Sequence, residues 1–180
     1  MGDMKTIIAL VSLGISAIAI VVTLVIYKIT KRRENYQNLL QHIIFYLGPE
    51  MHTAVHQLWN LYRDYGDPDF IDKYIEIMIA EDKKINSLQV TERMEYQLST
   101  LHYQRRIVSS FWRRLAVLLK NRLIPKRAVF DLWYRDDVDI VCKIIIPIEN
   151  RLCEHLKIKR LNPKTEPLYY IANLRNRFDC

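Results

Sequence analysis

Residues 91–123 read TERMEYQLSTLHYQRRIVSSFWRRLAVLLKNRL and form the longest amphipathic stretch in the second half of the chain. Large apolar side chains recur there at alternating steps of three and four, interrupted by Arg105 alone: Met94, Leu98, Leu101, Val108, Trp112, Leu115 and Leu119. This spacing predicts a single helix with one buried face. The surrounding domain must supply further elements to cover that face.

The rest of the chain shows the same helical period. Further helices are predicted at 50–65, 68–84, 126–134 and 167–178, with Gly, Pro or Asn-Ser breaks near their ends. Residues 138–148, VDIVCKIIIPI, are rich in β-branched side chains that favour a strand. We nevertheless predict a helix over 137–158, kinked at Pro147, because no other segment offers a strand partner. The expected fold is all-α, a bundle of about six helices.

The stretch DYGDPDF at 64–70 marks the corner between two of these helices. Gly66 suits the left-handed position just past a helix end. Asp67 is then expected to cap the next helix, and Pro68 to occupy its first position, where a proline loses no hydrogen bond. Asp69 and Asp72 lie in the first turn, near the positive end of the helix dipole. A calcium loop of the EF-hand type is excluded, because its ligand spacing is absent.

Residues 6–27, TIIALVSLGISAIAIVVTLVIY, are 22 residues without a charge. A helix of that length spans about 33 Å, and a bilayer core is about 30 Å thick. The run is too long for a cleavable signal peptide. Four basic residues follow it and mark the cytoplasmic flank: Lys28, Lys31, Arg32 and Arg33. We therefore predict a single-pass protein of the cell (inner) membrane.

The predicted order along the chain has four parts. They are an external tail at 1–5, the transmembrane helix at 6–27, a basic juxtamembrane extension of that helix at 28–49, and a cytoplasmic helical domain at 50–180. The cysteines fit a reducing cytoplasm, since Cys142, Cys153 and Cys180 are odd in number, widely spaced and form no disulfide framework.

Small side chains repeat within the predicted span at steps of three and four: Ala9, Ser12, Ser16, Ala19 and Thr23. Close helix–helix contact in lipid depends on such residues. The stripe predicts self-association through the span. The alternative is that small residues are simply common in spans.

Charge is segregated beyond the span. Residues 96–130 contain no acid and eight Lys or Arg, whereas residues 64–95 contain nine acids and four Lys or Arg. The basic segment predicts an anion-binding face for lipid headgroups, a nucleotide or RNA. Its candidate residues are His102, Arg105, Arg106, Arg113, Arg114, Lys120, Arg122, Lys126 and Arg127. The alternative is that the basic and acidic segments pair with each other.

No catalytic, metal or cofactor constellation is found in the sequence. The four glycines are too far apart for a phosphate-binding loop or a nucleophile elbow. His52 and His56 lie one helical turn apart, but two ligands do not make a zinc site. We expect no cofactor, no metal and no enzymatic activity.

Four motifs carry a family resemblance: LYRDYGDPDFIDKY at 61–74, FWRRLAVLLKNRLIPKRAVFDLWY at 111–134, IIIPIENRL at 144–152 and YYIANLRNRF at 169–178. They are similar to a prokaryotic family of small membrane-anchored helical proteins of unknown function. The resemblance covers about residues 50–178 and implies one N-terminal span, a cytoplasmic bundle and no activity. The family commonly has an aromatic followed by two glutamates where this chain has Trp112-Arg113-Arg114, so no acidic role is carried over to these positions.

The sequence thus predicts a membrane-anchored, oligomeric binding module, a scaffold or sensor, whose protein partner is unspecified. The alternative is a membrane effector. Its basic face would bind a nucleotide or nucleic acid, and its span would perturb the membrane on activation.

Overall fold

The computed structural model describes residues 2–175, without the side chains of residues 2–15, 17, 18, 38 and 128. All regular structure in this range is helical, so the predicted all-α class is confirmed for it. In chain order the helices are α1 (Gly2–Tyr46), α2 (Pro49–Tyr65), α3 (Asp69–Ser87), α4 (Val90–Ser99), α5 (Leu101–Lys120), α6 (Lys126–Leu132), α7 (Arg135–Ile140), α8 (Ile146–His155) and α9 (Pro167–Arg175), with a π-helical segment (Val141–Ile145) between α7 and α8.

The chain divides into two compact units, the first ending at Leu40 and the second beginning at Gln41. The last turn of α1 therefore belongs to the second unit, which is called the bundle below. Among the described residues, no helix combines the length and hydropathy needed to cross a membrane. The side chains of 6–15, 17 and 18, which make up more than half of the predicted span, lie outside the described part.

The prediction of one long helix over 91–123 is wrong, because Thr100 separates α4 from α5. Thr100 has extended backbone angles (φ −72°, ψ 149°), and its Oγ1 accepts a hydrogen bond from the Tyr103 N–H at 3.2 Å. The Glu81 carboxylate accepts two more, from the N–H groups of Leu101 at 2.8 Å and His102 at 3.3 Å. Three of the four amides that a helix start leaves unpaired thereby gain acceptors.

This break changes which apolar residues are buried. On one continuous helix, Met94 and Leu98 would share the buried face of Val108 and Trp112. Instead Met94 is 73% exposed and Leu98 49% exposed, whereas Val108 and Trp112 are fully buried. The ten-residue α4 has no buried residue. Of the apolar residues predicted to form one buried face over 91–123, only those on α5 face the core.

The corner at 64–70 follows the prediction in part. Gly66 ends α2 with φ +69°, a conformation that favours glycine, and its N–H donates to the Tyr62 carbonyl at 2.9 Å. Asp67 is not the cap, however. The Asp67–Pro68 peptide is cis, Pro68 takes the cap position, and α3 begins at Asp69.

Residues 135–155 are helical, so the alternative of a strand is wrong. A π-helical segment precedes Pro147, the position of the predicted kink, and at its end the Ile146 N–H donates to the Val141 carbonyl five residues back. Because Pro147 has no N–H, it cannot continue the regular ladder. The wider turn accommodates this gap within one helical column.

Aromatic side chains pack the last turn of α1 against the rest of the bundle. The Tyr46 ring lies 5.1 Å from that of Phe111, 6.1 Å from Trp112 and 5.8 Å from Trp133, centroid to centroid. Its hydroxyl donates to Asp137 at 2.7 Å. Such clusters add stability beyond their buried area, so the last turn of α1, α5 and the α6–α7 link form one core.

Replacing Thr100 by alanine removes the side-chain acceptor at the start of α5. We expect a loss of about 1 kcal/mol in the free energy of unfolding. Thr91→Ala, on the exposed surface of α4, is the matched control and should change it by no more than about 0.5 kcal/mol. Urea denaturation followed by circular dichroism measures both, and equal values for the two variants would contradict a capping role for Thr100.

Candidate anion-binding surface

The polar side chains of helix α5 lie on two different faces. One face is exposed and carries Arg106, Ser110, Arg114, Val117 and Lys120, which we call the α5 stripe. The opposite side is the core-facing surface. Arg105 and Ser109 are buried on the flank of that surface, and Arg113 is half-buried beside them. Residues adjacent in sequence therefore have different environments, as the 100° turn per residue of a helix requires.

The buried flank of α5 surrounds one carboxylate, that of Glu149 on α8. Glu149 is 8% exposed and forms an ion pair with Arg105, which is 7% exposed. Ser109 Oγ donates to Glu149 Oε1 at 2.8 Å, and Arg113 Nη2 lies 3.3 Å from Glu149 Oε2. Both oxygens of the buried acid are thus satisfied, as a buried charge requires.

Arg113 joins this network to the start of α9. Its Nε donates to Glu166 Oε1 at 2.7 Å, and its Nη1 donates to Ser109 Oγ at 2.9 Å. Burial acts to lower the pKa of Arg113, but the hydrogen bonds and charges of Glu166 and Glu149 outweigh it and raise that pKa. Arg113 therefore serves as an internal cation that links α5, α8 and α9.

These contacts remove Arg105 and Arg113 from the predicted anion-binding face. A guanidinium paired with a buried carboxylate is not available to a ligand from solvent. The alternative, pairing with acids of residues 64–95, is not what the structure shows for these two arginines either, since Glu149 and Glu166 lie outside that segment.

His102 lies at the edge of a small cleft of about 30 Å³, which Arg106, Glu81 and Asp82 also line. Its Nδ1 is 3.4 Å from the Tyr74 hydroxyl. Burial and then the charge of Arg105 lower the pKa of His102. Because two acids share this cleft, it does not select for an anion.

The remaining predicted cations are exposed. Arg106, Arg114, Lys120 and Arg122 form no ion pair within the described part of the chain. Lys126 lies over the Tyr170 ring at 5.5 Å. Arg127 is 3.9 Å from Asp131, and both side chains are largely solvated, so that pair contributes little.

The cations predicted within α1 are exposed as well: Lys28, Lys31, Arg32 and Arg33. In the stripe of small residues, Ser16, Ala19 and Thr23 are exposed, and the side chains of Ala9 and Ser12 lie outside the described part. Thr23 Oγ1 donates to the Ala19 carbonyl at 2.8 Å, within its own helix.

Two further clefts lie on other parts of the surface. A shallow cleft of about 350 Å³ between α3 and α8 holds the Asp72–Arg151 ion pair (2.8 Å), and another of about 330 Å³ follows α2 past His52, His56 and Trp59. The two histidine rings stack 6.4 Å apart. Within the described residues, no group of three or more His, Cys, Asp or Glu side chains could hold a metal ion.

Sequence analysis missed the carboxylates that organise this region. Glu149 carried a signal, because it is a lone acid within the otherwise largely apolar run at 144–152. Glu81 and Glu166 carried none, since their partners lie 20 and 53 residues away. Such pairings depend on tertiary packing alone.

No protein-family model matches the chain, and neither a curated protein nor a solved structure matches it.

Arg113 and Arg114 offer a matched test of the two faces of α5. Arg113→Gln leaves Glu166 without its cation and Glu149 with Arg105 alone, and should cost about 2 kcal/mol in the free energy of unfolding. Arg114→Gln removes the same charge from the exposed stripe and should cost no more than about 0.5 kcal/mol. Urea titrations of both variants measure the difference, and a loss at Arg114 as large as that at Arg113 would contradict the assignment of faces.

Proposed function

We propose that this protein is a membrane-anchored helical binding module. Residues 6–27 serve as a single transmembrane anchor, and the bundle from Gln41 onward lies in the cytoplasm and acts by binding an anionic partner. Its role is that of a scaffold or sensor without enzymatic activity.

The observation that carries this proposal is the environment of α1 between Ile20 and Ile29. Large apolar side chains are exposed there: Ile20, Val21, Val22, Leu24, Val25, Ile26, Tyr27 and Ile29. At 100° per residue these exposed side chains surround the helix. Apolar side chains on all sides of a helix favour an apolar environment, which a bilayer supplies.

Basic residues mark the end of this apolar segment. Lys28, Lys31, Arg32 and Arg33 are all exposed and follow it within six positions. Lys31 Nζ lies 5.7 Å from the centre of the Tyr27 ring, an aromatic–cation pair at the boundary of the proposed span. This order supports a cytoplasmic bundle, since Lys and Arg near a span are retained on that side.

The α5 stripe supports the binding role. Three cations that form no ion pair with any described residue lie on one exposed helix face, in a segment of 35 residues that contains no acid. Lipid headgroups, a nucleotide or RNA carry the complementary charge. Self-association through Ser16, Ala19 and Thr23, exposed small residues of α1, is part of the same proposal.

Thiol labelling in intact cells tests anchor and orientation together. The natural Cys180 should escape a membrane-impermeant maleimide until the cells are permeabilised, because the proposal puts it inside. Asp3→Cys, introduced into a chain whose own cysteines are replaced by alanine, is the control and should label without permeabilisation. Labelling of Cys180 in intact cells, or extraction of the protein by alkaline carbonate, would overturn the proposal.

A further inference from the structure

The α5 stripe is long and exposed. Arg106 and Lys120 are fourteen residues apart, about 21 Å along the helix. Its five residues fall within an arc of about 120° when each residue turns the helix by 100°. The three cations alternate with Ser110 and Val117, so the stripe offers no carboxylate to a ligand.

The stripe lacks the features that recognise a nucleotide or single-stranded RNA. Binding of unpaired bases relies on exposed aromatic rings for stacking, and none of its five residues is aromatic. A nucleotide requires a concave pocket. Of the three clefts described above, only the smallest touches the stripe, through Arg106, and Glu81 and Asp82 line that cleft too.

The acidic residues of the bundle lie on other helices. Exposed carboxylates occur on α3 and α4: Asp69, Asp72, Glu76, Asp82, Glu92 and Glu95. An anionic surface therefore attracts α5 and repels α3 and α4, which favours one orientation of the bundle over the others.

The proposed anchor keeps the bundle close to such a surface. Thirteen residues, 28–40, lie between Tyr27, at the end of the proposed span, and Gln41, where the bundle begins. Even fully extended, they reach no further than about 50 Å. A short tether raises the local concentration of the membrane surface, so a few charges suffice for docking.

From these observations we propose that the α5 stripe docks the bundle on the anionic lipid headgroups of the membrane that holds its anchor. This inference rests on the proposed function and adds the partner and the orientation. Arg106, Arg114 and Lys120 face the headgroups. Each Lys or Arg contributes about a fivefold preference for an anionic surface.

Energy transfer from the bundle to the membrane measures docking. The full chain, with its cysteines replaced by alanine, carries a donor fluorophore at Ser110→Cys and is reconstituted into vesicles that contain acceptor lipid. The vesicles are either neutral phosphatidylcholine or one-third phosphatidylglycerol. We expect higher transfer in the anionic vesicles, reversed by high salt. A donor at Thr91→Cys on α4 should show no such increase.

Two triple variants distinguish an effect of the α5 stripe from an effect of the net charge of the protein. Arg106→Gln, Arg114→Gln and Lys120→Gln together should abolish the increase, since the ratio of docked to undocked bundle falls about a hundredfold. Lys157→Gln, Lys159→Gln and Lys164→Gln remove the same charge from the exposed segment after α8 and should retain the increase.

Three results would overturn the inference. One is equal transfer from the parent chain in both kinds of vesicle, and another is equal loss of the response in both triple variants. The third is a parent chain that ignores anionic lipid but responds to added single-stranded RNA. All vesicles are first washed with alkaline carbonate. Protein lost at that step contradicts the anchor as well, whereas retained protein without a lipid response contradicts only the docking.

Discussion

The bundle is organised around a buried charge, the carboxylate of Glu149. An isolated carboxylate in a protein interior is costly, so its position is acceptable only where cations and hydrogen-bond donors meet it. Arg105, Ser109 and Arg113 supply these groups from three successive turns of α5. The rotation of α5 about its axis and its register against α8 are thereby fixed more narrowly than apolar packing alone would fix them.

That constraint determines what remains on the surface. Once Arg105 and Arg113 face Glu149, the 100° periodicity turns Arg106 and Arg114 to solvent. The same network reaches α9 through Glu166, and Asp139 adds a second buried anion, held by Lys143 and Arg175. Burial would raise the pKa of Asp139, but the hydrogen bonds and charges of Arg175 and Lys143 outweigh it and lower that pKa. The unpaired cations of the surface and the paired cations of the interior thus follow from one arrangement.

Part of this architecture could be predicted from the sequence. Periodicity identified the helices, and the apolar order of α5 from Val108 to Leu119 identified its core face. Periodicity failed at Thr100, because the acceptor that favours a helix start there includes Glu81, a residue 20 positions away. Composition identified the basic segment of 96–130 but could not sort its arginines. Which arginines are buried and which are exposed depends on where α8 places Glu149. Arginines that are adjacent in the chain therefore differ in their environment.

A double-mutant cycle between Arg105 and Glu149 tests this account most directly. Arg105→Met removes one of the two cations that pair with Glu149, and Glu149→Met leaves the buried Arg105 without its anion, whereas the double variant removes both charges of the pair. If the pair fixes the packing of α5 on α8, the double variant loses far less than the sum of the single variants. The predicted coupling free energy from urea denaturation is about 2 kcal/mol or more. Additivity within about 0.5 kcal/mol would contradict a central role for this ion pair.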